Sequence, residues 1–468
     1  MLIWHAKRKQ ISQRSTMENS VSQLAKAIKT VLQSHADQAG VATGFIQRVR
    51  EFTGATFAQT IILGQMQEGE IAMSDLASFA RQVGVNVSTQ AIDKRFTKKT
   101  ATFFQELLNA TFTQVVAADP VAIPLLGRFS EVIVEDSTTQ SLPDEMEGVW
   151  QGCGNATDSS KSAFKVQVRM DLLRGGFKGQ ALTNGRVPDT KSPLLPNRRQ
   201  RRSLRIADLG YFDTLQFQKE DEAEEYWISR LKVGGSLQIF DEAGHPLDLC
   251  ELLRTCADCT SYECKIQVSA TRRLPARLIA YPVPEEVAIK RRKSHKRKAQ
   301  KHSRKASKKL LDLCGWTLVI TNIPAEELNH QEALVLLRAR WQIELLFKLW
   351  KQYAQTDISR SKKPWHVLCD FYAKLIGIII VHWMMIVGCW QVPSRSMVKA
   401  TKAIRHQINL VARALAGRQD LYHILQEITQ GLDRCRIDKR KKHPNTFQLL
   451  LDPTLQQTDL VSAGAPGP

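Results

Sequence analysis

The chain is short of acid. Against 66 Lys and Arg it carries 46 Asp and Glu in 468 residues, a formal net charge of +20. Such an excess is a statement about partners, and it points to a polyanion, either nucleic acid or an acidic membrane surface. Long apolar runs are nearly missing too. The one candidate span, LIGIIIVHWMMIVGCW at 375–390, is short, is interrupted by His382 and adjoins Asp370 and Lys374. A buried core helix is therefore expected there, and no membrane. Cysteines are scattered: nine, an odd number, with no secretory signal ahead of them, which argues for a reducing interior and free thiols. Cys250, Cys256, Cys259 and Cys264 space as C-x5-C-x2-C-x4-C, a set that could seat a structural zinc, although there is a single C-x2-C pair and no flanking histidine in range. The remaining composition, 43% hydrophobic and 24% charged, is that of a globular protein with room for two to four domains.

The positive charge is concentrated. Residues 290–309, KRRKSHKRKAQKHSRKASKK, hold twelve Lys or Arg and no acid, led by Lys290, Arg291, Arg292 and Lys293. The run reads either as a solvated loop or as a segment that tracks phosphates.

Along the chain the hydrophobic period changes. Residues 1–118 read as helical, with apolar positions at helical spacing around Leu24, Ile28 and Leu32 and again from Phe103 to Phe112; residues 1–16 read as an unstructured extension. Within this region DLASFARQVGVNVSTQAIDKRF, 75–96, suggests two helices around a turn at Gly84–Val87, with Ser88 capping the second, which fits a helix-turn-helix or an ordinary helical hairpin. From 119 to 212 strands take over. EVIVED, 131–136, is too apolar to alternate and reads as a buried central strand; FKVQVRMD, 164–171, reads as its neighbour; LRIAD, 204–208, is a second apolar strand ending in acid. Asp136 and Asp208 are thus expected at two strand ends. Residues 213–315 read as a β-rich insertion closed by the basic run. WTLVITN resumes the core over 316–395, and 396–468 read as a helical region with a disordered tail.

One stretch in the resumed core, ARWQIELLFKLWK at 339–351, carries charge on a helix that otherwise packs. At 100° per residue Ile343, Leu346, Phe347 and Trp350 share an apolar arc, while Arg340, Glu344, Lys348 and Lys351 fall within about 80° of one another. Such a strip is either a solvated i,i+4 pairing worth roughly 0.3–0.5 kcal/mol or a metal-binding carboxylate with cations beside it to hold phosphates. Two metal ions about 3.5–4 Å apart, one activating the attacking oxygen and one stabilising the leaving oxygen, need acids delivered from several elements. Asp136, Asp208 and Glu344 meet that demand.

These motifs, in this order, resemble the DDE transposases of bacterial insertion sequences, in the insertion-sequence-four branch whose last catalytic helix carries Tyr-x2-Arg-x3-Glu-x6-Lys. Arg340, Glu344 and Lys351 match in register, and DSTT at 136–139 and ADLGYF at 207–212 resemble the segments bearing the first two acids. The tyrosine position is Leu337, so a hydroxyl contact to phosphate is missing. The resemblance covers roughly residues 128–360 and implies an α/β fold, a ribonuclease-H-like catalytic core with a β-rich insertion, flanked by N- and C-terminal helical regions. It implies Mg²⁺, replaceable by Mn²⁺, held by Asp136, Asp208 and Glu344. Implied partners are double-stranded DNA, both transposon ends and target, and a second copy in a synaptic homodimer; the implied location is the cytoplasm, at the bacterial nucleoid. The implied chemistry is cut-and-paste cleavage and strand transfer through a hairpin. Trp316, at the start of the resuming strand, and Trp341 are candidates to stack on a flipped base, and each reads equally as a core tryptophan. Two alternatives stay open: an impaired copy that only binds DNA, and a basic nucleic-acid-binding structural protein.

Overall fold

The computed structural model describes residues 19–458 apart from 117, 155–159, 195–199, 235–236, 257–258, 302 and 439–443; the expected N-terminal extension and the last ten residues of the tail lie outside the described residues. Among the described residues nine strands form one mixed sheet in the order β3-β2-β1-β4-β5-β9-β8-β7-β6. They are β1 (Val132–Leu142), β2 (Ser162–Asp171), β3 (Phe177–Asn184), β4 (Leu204–Ala207), β5 (Tyr226–Arg230), β6 (Ile239–Phe240), β7 (Tyr262–Val268), β8 (Leu274–Pro282) and β9 (Trp316–Thr321). Strands β1, β4 and β5 are parallel, and every other neighbouring pair is antiparallel.

The parallel pair β4–β5 needs a crossover, which the helix Thr214–Glu222 supplies. Asp213 starts that helix, its Oδ1 accepting the Leu215 N–H at 2.9 Å. Arg205 on β4 pins it to the sheet by donating to Glu220 at 2.5 and 3.0 Å, with both side chains 1% exposed.

Two expectations change here. YWISR was read as part of the insertion, yet β5 lies in the core sheet beside β4, because the crossover returns the chain parallel to it. The insertion is also less β-rich than its alternation suggests. It contains the helices Leu249–Arg254, Glu285–Lys301 and Lys308–Leu313, and its strands β6–β8 extend the core sheet through β9. The basic run is mostly the helix Glu285–Lys301, since Lys, Arg, Ala and Gln are good helix formers and Glu285 and Glu286 sit favourably in its first turn.

The apolar run 375–390 belongs to the helix Pro364–Met385 and the π-helical turn Ile386–Trp390 that follows it. Every residue from His366 to Met385 is buried, packed against the helices Gly54–Glu68 and Lys98–Thr113. Its polar groups find partners inside the protein. Lys374 donates to the carbonyls of Gln355 and Ile358 at 3.1 and 2.6 Å, and Asp370 accepts from Gln65 and Ser359 at 2.9 and 2.6 Å. Length and composition would let this segment cross a membrane, but its apolar surface is spent on the protein's own helices. One core joins these helices to those at both ends of the described chain, from Val21 to Leu450, while a second lies between the other sheet face and the insertion.

Of the suggested hairpin at 75–96, the first helix is Met73–Ala80 and the second is five residues, Thr89–Asp93, capped by Ser88 Oγ accepting the Ala91 N–H at 3.2 Å. The hairpin is tied down: Asp93 pairs with Lys363 at 2.7 Å, and Phe96 stacks on His366 with ring centroids 3.7 Å apart.

His382 yields a pH prediction. It is fully buried, its Nε2 lies 2.8 Å from the Gly175 carbonyl oxygen, and it stacks on Phe177. Burial, only partly offset by that carbonyl, pushes its pKa down to about 4. A depressed histidine contributes stability that is complete above its unfolded value near 6.5 and is lost as pH falls towards 4, at about 1.4 kcal/mol per pH unit. His382→Gln keeps a donor without a titrating ring, so its stability profile should flatten between pH 6.5 and 4 relative to wild type. Superimposable acid profiles for the two proteins would remove His382 as the cause.

Candidate active site

Register builds the site. The parallel ladder pairs Val132 with Leu204 and Val134 with Ile206, and the same offset carried two residues on sets Asp136 beside Asp208. In-register residues of parallel strands project from the same face, so the two carboxylates are neighbours by construction. Asp208 directly follows β4. Asp136 corrects an expectation: it lies not at a strand end but inside β1, which continues to Leu142 because β2 goes on pairing with it after β4 has left. Strand β2 pairs with β1 as its expected neighbour, and although FKVQVRMD alternates in polarity it is buried on both faces. Its inward cation Arg169 forms a close ion pair with Glu135.

Glu344 reaches the same place from the first turn of the helix Trp341–Ala354. The continuous helix expected through 339–351 is interrupted at Arg340, where the preceding helix, His330–Ala339, ends. The backbone there keeps helical dihedrals, φ −51° and ψ −34°, so the wheel holds and only the hydrogen-bond ladder breaks. Ile343, Leu346, Phe347 and Trp350 are buried as the wheel requires.

Arg340 stands at the centre, 7% exposed, with one acid at each nitrogen. Nη1 lies 3.8 Å from Asp136 Oδ2, Nε lies 3.6 Å from Asp208 Oδ1, and Nη2 forms a close ion pair with Glu344 Oε1. Asp136 also accepts the Ser137 N–H at 2.8 Å. Burial, reinforced by the Glu344 and Asp208 charges, still outweighs that bond and Arg340 and pushes the Asp136 pKa up to about 7. The donor set suits a hard divalent cation, being three carboxylates in excess over one guanidinium. With Arg340 between them, no group of three or more His, Cys, Asp or Glu among the described residues is arranged to hold a metal ion. The cysteine cluster is included in that statement: its four thiols are free, and Cys250 contacts the Lys309 carbonyl instead.

A cavity of about 880 Å³ opens from Asp208 and Glu344 along Arg340 to the basic helix. Trp316 and Trp341 stand in its wall, and its cations include Arg230, Lys232, Lys290, Arg291 and Lys298. Of the residues singled out by sequence, Trp316, Trp341, Arg340, Lys290 and Arg291 therefore share one groove with two of the acids. Arg292, Lys293, Lys348 and Lys351 do not line it. Arg292 binds Glu285 and the Leu311 carbonyl, and the other three are exposed. Leu337 is buried in the main core and does not line the groove either.

Sequence reasoning missed Arg230, Lys232, His295 and Lys298. Arg230 ends β5, the strand next to the one that delivers Asp208; it forms no ion pair among the described residues, and burial together with neighbouring Arg340 lowers its pKa. A cation closing the next parallel strand was its signal. For Lys298 and His295 the signal was the 290, 291, 294, 295, 298 spacing, one stripe of a helix, which is invisible while the run is read as a loop.

Acids gathered beside the ends of parallel strands, at the head of a cationic groove, define a class of protein that acts on nucleic acid. The comparison with known families gives the particular one: the chain belongs to the transposase DDE domain family, whose model matches residues 127–380. It is a DDE transposase of bacterial insertion sequences. Among its relatives, the transposase for insertion sequence element IS231C of Bacillus thuringiensis subsp. berliner is 26% identical over 362 residues, covering 72% of this chain and 74% of that one. The transposase for IS1151 of Clostridium perfringens is 25% identical over 78% of this chain and 80% of its own length. That for IS231B of Bacillus thuringiensis subsp. berliner is 24% identical, with 87% and 90% covered.

Proposed function

We propose that this transposase excises its element by cut-and-paste: it binds the terminal inverted repeats, hydrolyses one strand at each end, closes a hairpin, reopens it and joins the 3′-hydroxyl to target DNA. The observation that carries the reading is the convergence of Asp136, Asp208 and Glu344, successively 72 and 136 residues apart in sequence, on the single guanidinium of Arg340 at the head of a cationic groove. The strand order 3-2-1-4-5, with β1, β4 and β5 parallel, supports a ribonuclease-H-like core, and the insertion falls between β5 and the helix of Glu344. Asp136, Asp208 and Glu344 would hold Mg²⁺ or Mn²⁺, which supplies activation of the attacking oxygen and neutralises charge on the phosphate. The chain's own residues do the rest. Ser137 orients the Asp136 carboxylate, Arg230 and Lys290 draw the DNA strand towards the acids, and Trp316 and Trp341 offer faces for a displaced base. The N-terminal helices read the end repeats, Lys348 and Lys351 meet phosphates outside the groove, and a second copy completes the synaptic complex in the cytoplasm, at the nucleoid.

The direct test incubates the full chain with a duplex bearing the element's end and Mg²⁺, and looks on a denaturing gel for a nicked strand that becomes a hairpin. DNA bound but never cut, with Mg²⁺ or Mn²⁺, would leave a protein that only binds.

Two further outcomes are expected. Affinity for DNA falls steeply with salt, and removing the groove-facing charges in Lys290→Ala with Lys298→Ala flattens the log–log slope by about one unit per lost contact. Lys293→Ala should change it less, and an equal change would mean that the helix acts as a diffuse charge. Trp316→Ala should slow hairpin formation about 10–100-fold, the worth of roughly 1–3 kcal/mol of stacking. First-strand nicking and the melting temperature should stay close to wild type, and an abasic site at the flipped position should restore part of the rate. Trp316 is half-buried, packs on the insertion core, and its carbonyl accepts from Arg291 at 2.9 Å. If nicking and melting fall together with hairpin formation, the indole belongs to that core.

A further inference from the structure

Arg340 has two directions open to it. Inwards, each of its nitrogens faces one of three acids that arrive from β1, from the turn after β4 and from the helix that begins at the next residue. Outwards, it lines the groove whose other cations include Arg230, Lys290 and Lys298. A guanidinium has five donors and no acceptor, so acceptor groups must satisfy it, and the ion-pair partners that Arg340 faces among the described residues are these three acids. It faces one oxygen of each acid, Glu344 Oε1 in a close ion pair and Asp136 Oδ2 and Asp208 Oδ1 at 3.8 and 3.6 Å, and a divalent cation drawn to those oxygens would compete with its charge.

We propose that Arg340 is an exchangeable counter-ion: it neutralises Asp136, Asp208 and Glu344 in the metal-free, DNA-free protein and transfers to a DNA phosphate in the groove when divalent cations take over the acids. This rests on the reading of those three residues as metal ligands. Its consequence is coupling. A phosphate that draws Arg340 outwards uncovers the acids, and cations on the acids free Arg340 for the phosphate, so each ligand raises the protein's affinity for the other by the same factor. The break in hydrogen bonding between the helices His330–Ala339 and Trp341–Ala354 falls at the residue that has to swing.

The experiment measures Mn²⁺ binding to the full chain, by electron paramagnetic resonance of free Mn²⁺, with and without a short duplex. Without DNA, Arg340→Gln should bind Mn²⁺ about tenfold more tightly than wild type, because a positive charge beside the ion is gone. The duplex should tighten Mn²⁺ binding several-fold in wild type and hardly at all in Arg340→Gln. If Arg340→Gln binds Mn²⁺ equally or more weakly, the guanidinium assembles the acids instead of competing for them, and the exchange is wrong. Asp208→Asn separates the two layers of inference: unchanged Mn²⁺ binding in that variant sinks the assignment of the acids as ligands, whereas lost binding there with no gain in Arg340→Gln sinks the exchange alone. Should Arg340→Gln melt as an unfolded protein, Arg340→Lys carries the test, since one ammonium cannot face three acids and Mn²⁺ affinity should again rise.

Discussion

Asp136→Ala, Asp208→Ala and Glu344→Ala should each lower strand cleavage by a factor on the order of 10³ or more, while binding to transposon-end DNA survives. Each loses a carboxylate that converges on Arg340, and none is needed to close a core: all three are partly exposed, and Asp208 and Glu344 line the head of the groove. Removing an acid also removes negative charge from a DNA-facing surface, so affinity for the duplex should hold or rise slightly. Cleavage on a denaturing gel and retardation on a native gel, from the same preparations, read the two properties separately. A variant that cuts at nearly the wild-type rate in Mg²⁺ would take its residue out of the set, and one that neither cuts nor binds would indicate misfolding.

The largest loss of stability is expected from breaking the pair under the crossover helix. Glu220→Ala leaves Arg205 buried beneath Phe217 without its carboxylate, and an uncompensated buried charge costs about 3–5 kcal/mol. Arg205→Met combined with Glu220→Leu replaces the pair by apolar groups of similar volume and should regain most of that loss, because desolvating the two charges already offset much of their attraction. Denaturant midpoints of wild type, Glu220→Ala and the double variant make the comparison. A double variant no more stable than Glu220→Ala would show the pair to be worth more than its apolar substitute. Arg205 lies three residues before Asp208 in the chain, so cleavage is best measured well below the melting transition.

The candidate site was legible in the sequence to the extent that its residues obey local rules. Asp208 ends a four-residue apolar strand, and Glu344 and Arg340 lie one turn apart; period and spacing alone place them. What stayed hidden depends on pairing across the sheet. That β1 outruns β4, leaving Asp136 mid-strand, is decided by β2, and nothing in EVIVEDSTTQSL signals where one neighbour leaves and the other remains. The insertion's strands alternate as any half-buried strand does, so the sequence marks them as β without saying that β8 and β9 bind them to the core sheet. The basic run was ambiguous for another reason: charge density speaks of partners, not of backbone, and only the helix makes Lys290, Arg291 and Lys298 one face and sets Lys293 on another.

The continuity of that sheet bears on how a rigid substrate is accommodated. Strand β9 is hydrogen-bonded to β5 on one side and β8 on the other, begins at Trp316 and leads into the two helices that meet at Arg340 and carry Glu344. Strand β9, which leads to the helix of Glu344, and strand β8, which leads to the basic helix, thus belong to one hydrogen-bonded sheet, which resists moving them apart. On the proposed reading, bending that brings a scissile bond to the acids then falls more on the DNA than on this sheet, at a cost of order 1–6 kcal/mol for smooth bending. If the proposed end cleavage holds, duplexes that deform easily, with pyrimidine–purine steps or a nick at the transposon boundary, should be the better substrates for a mechanical reason, apart from any base that is read.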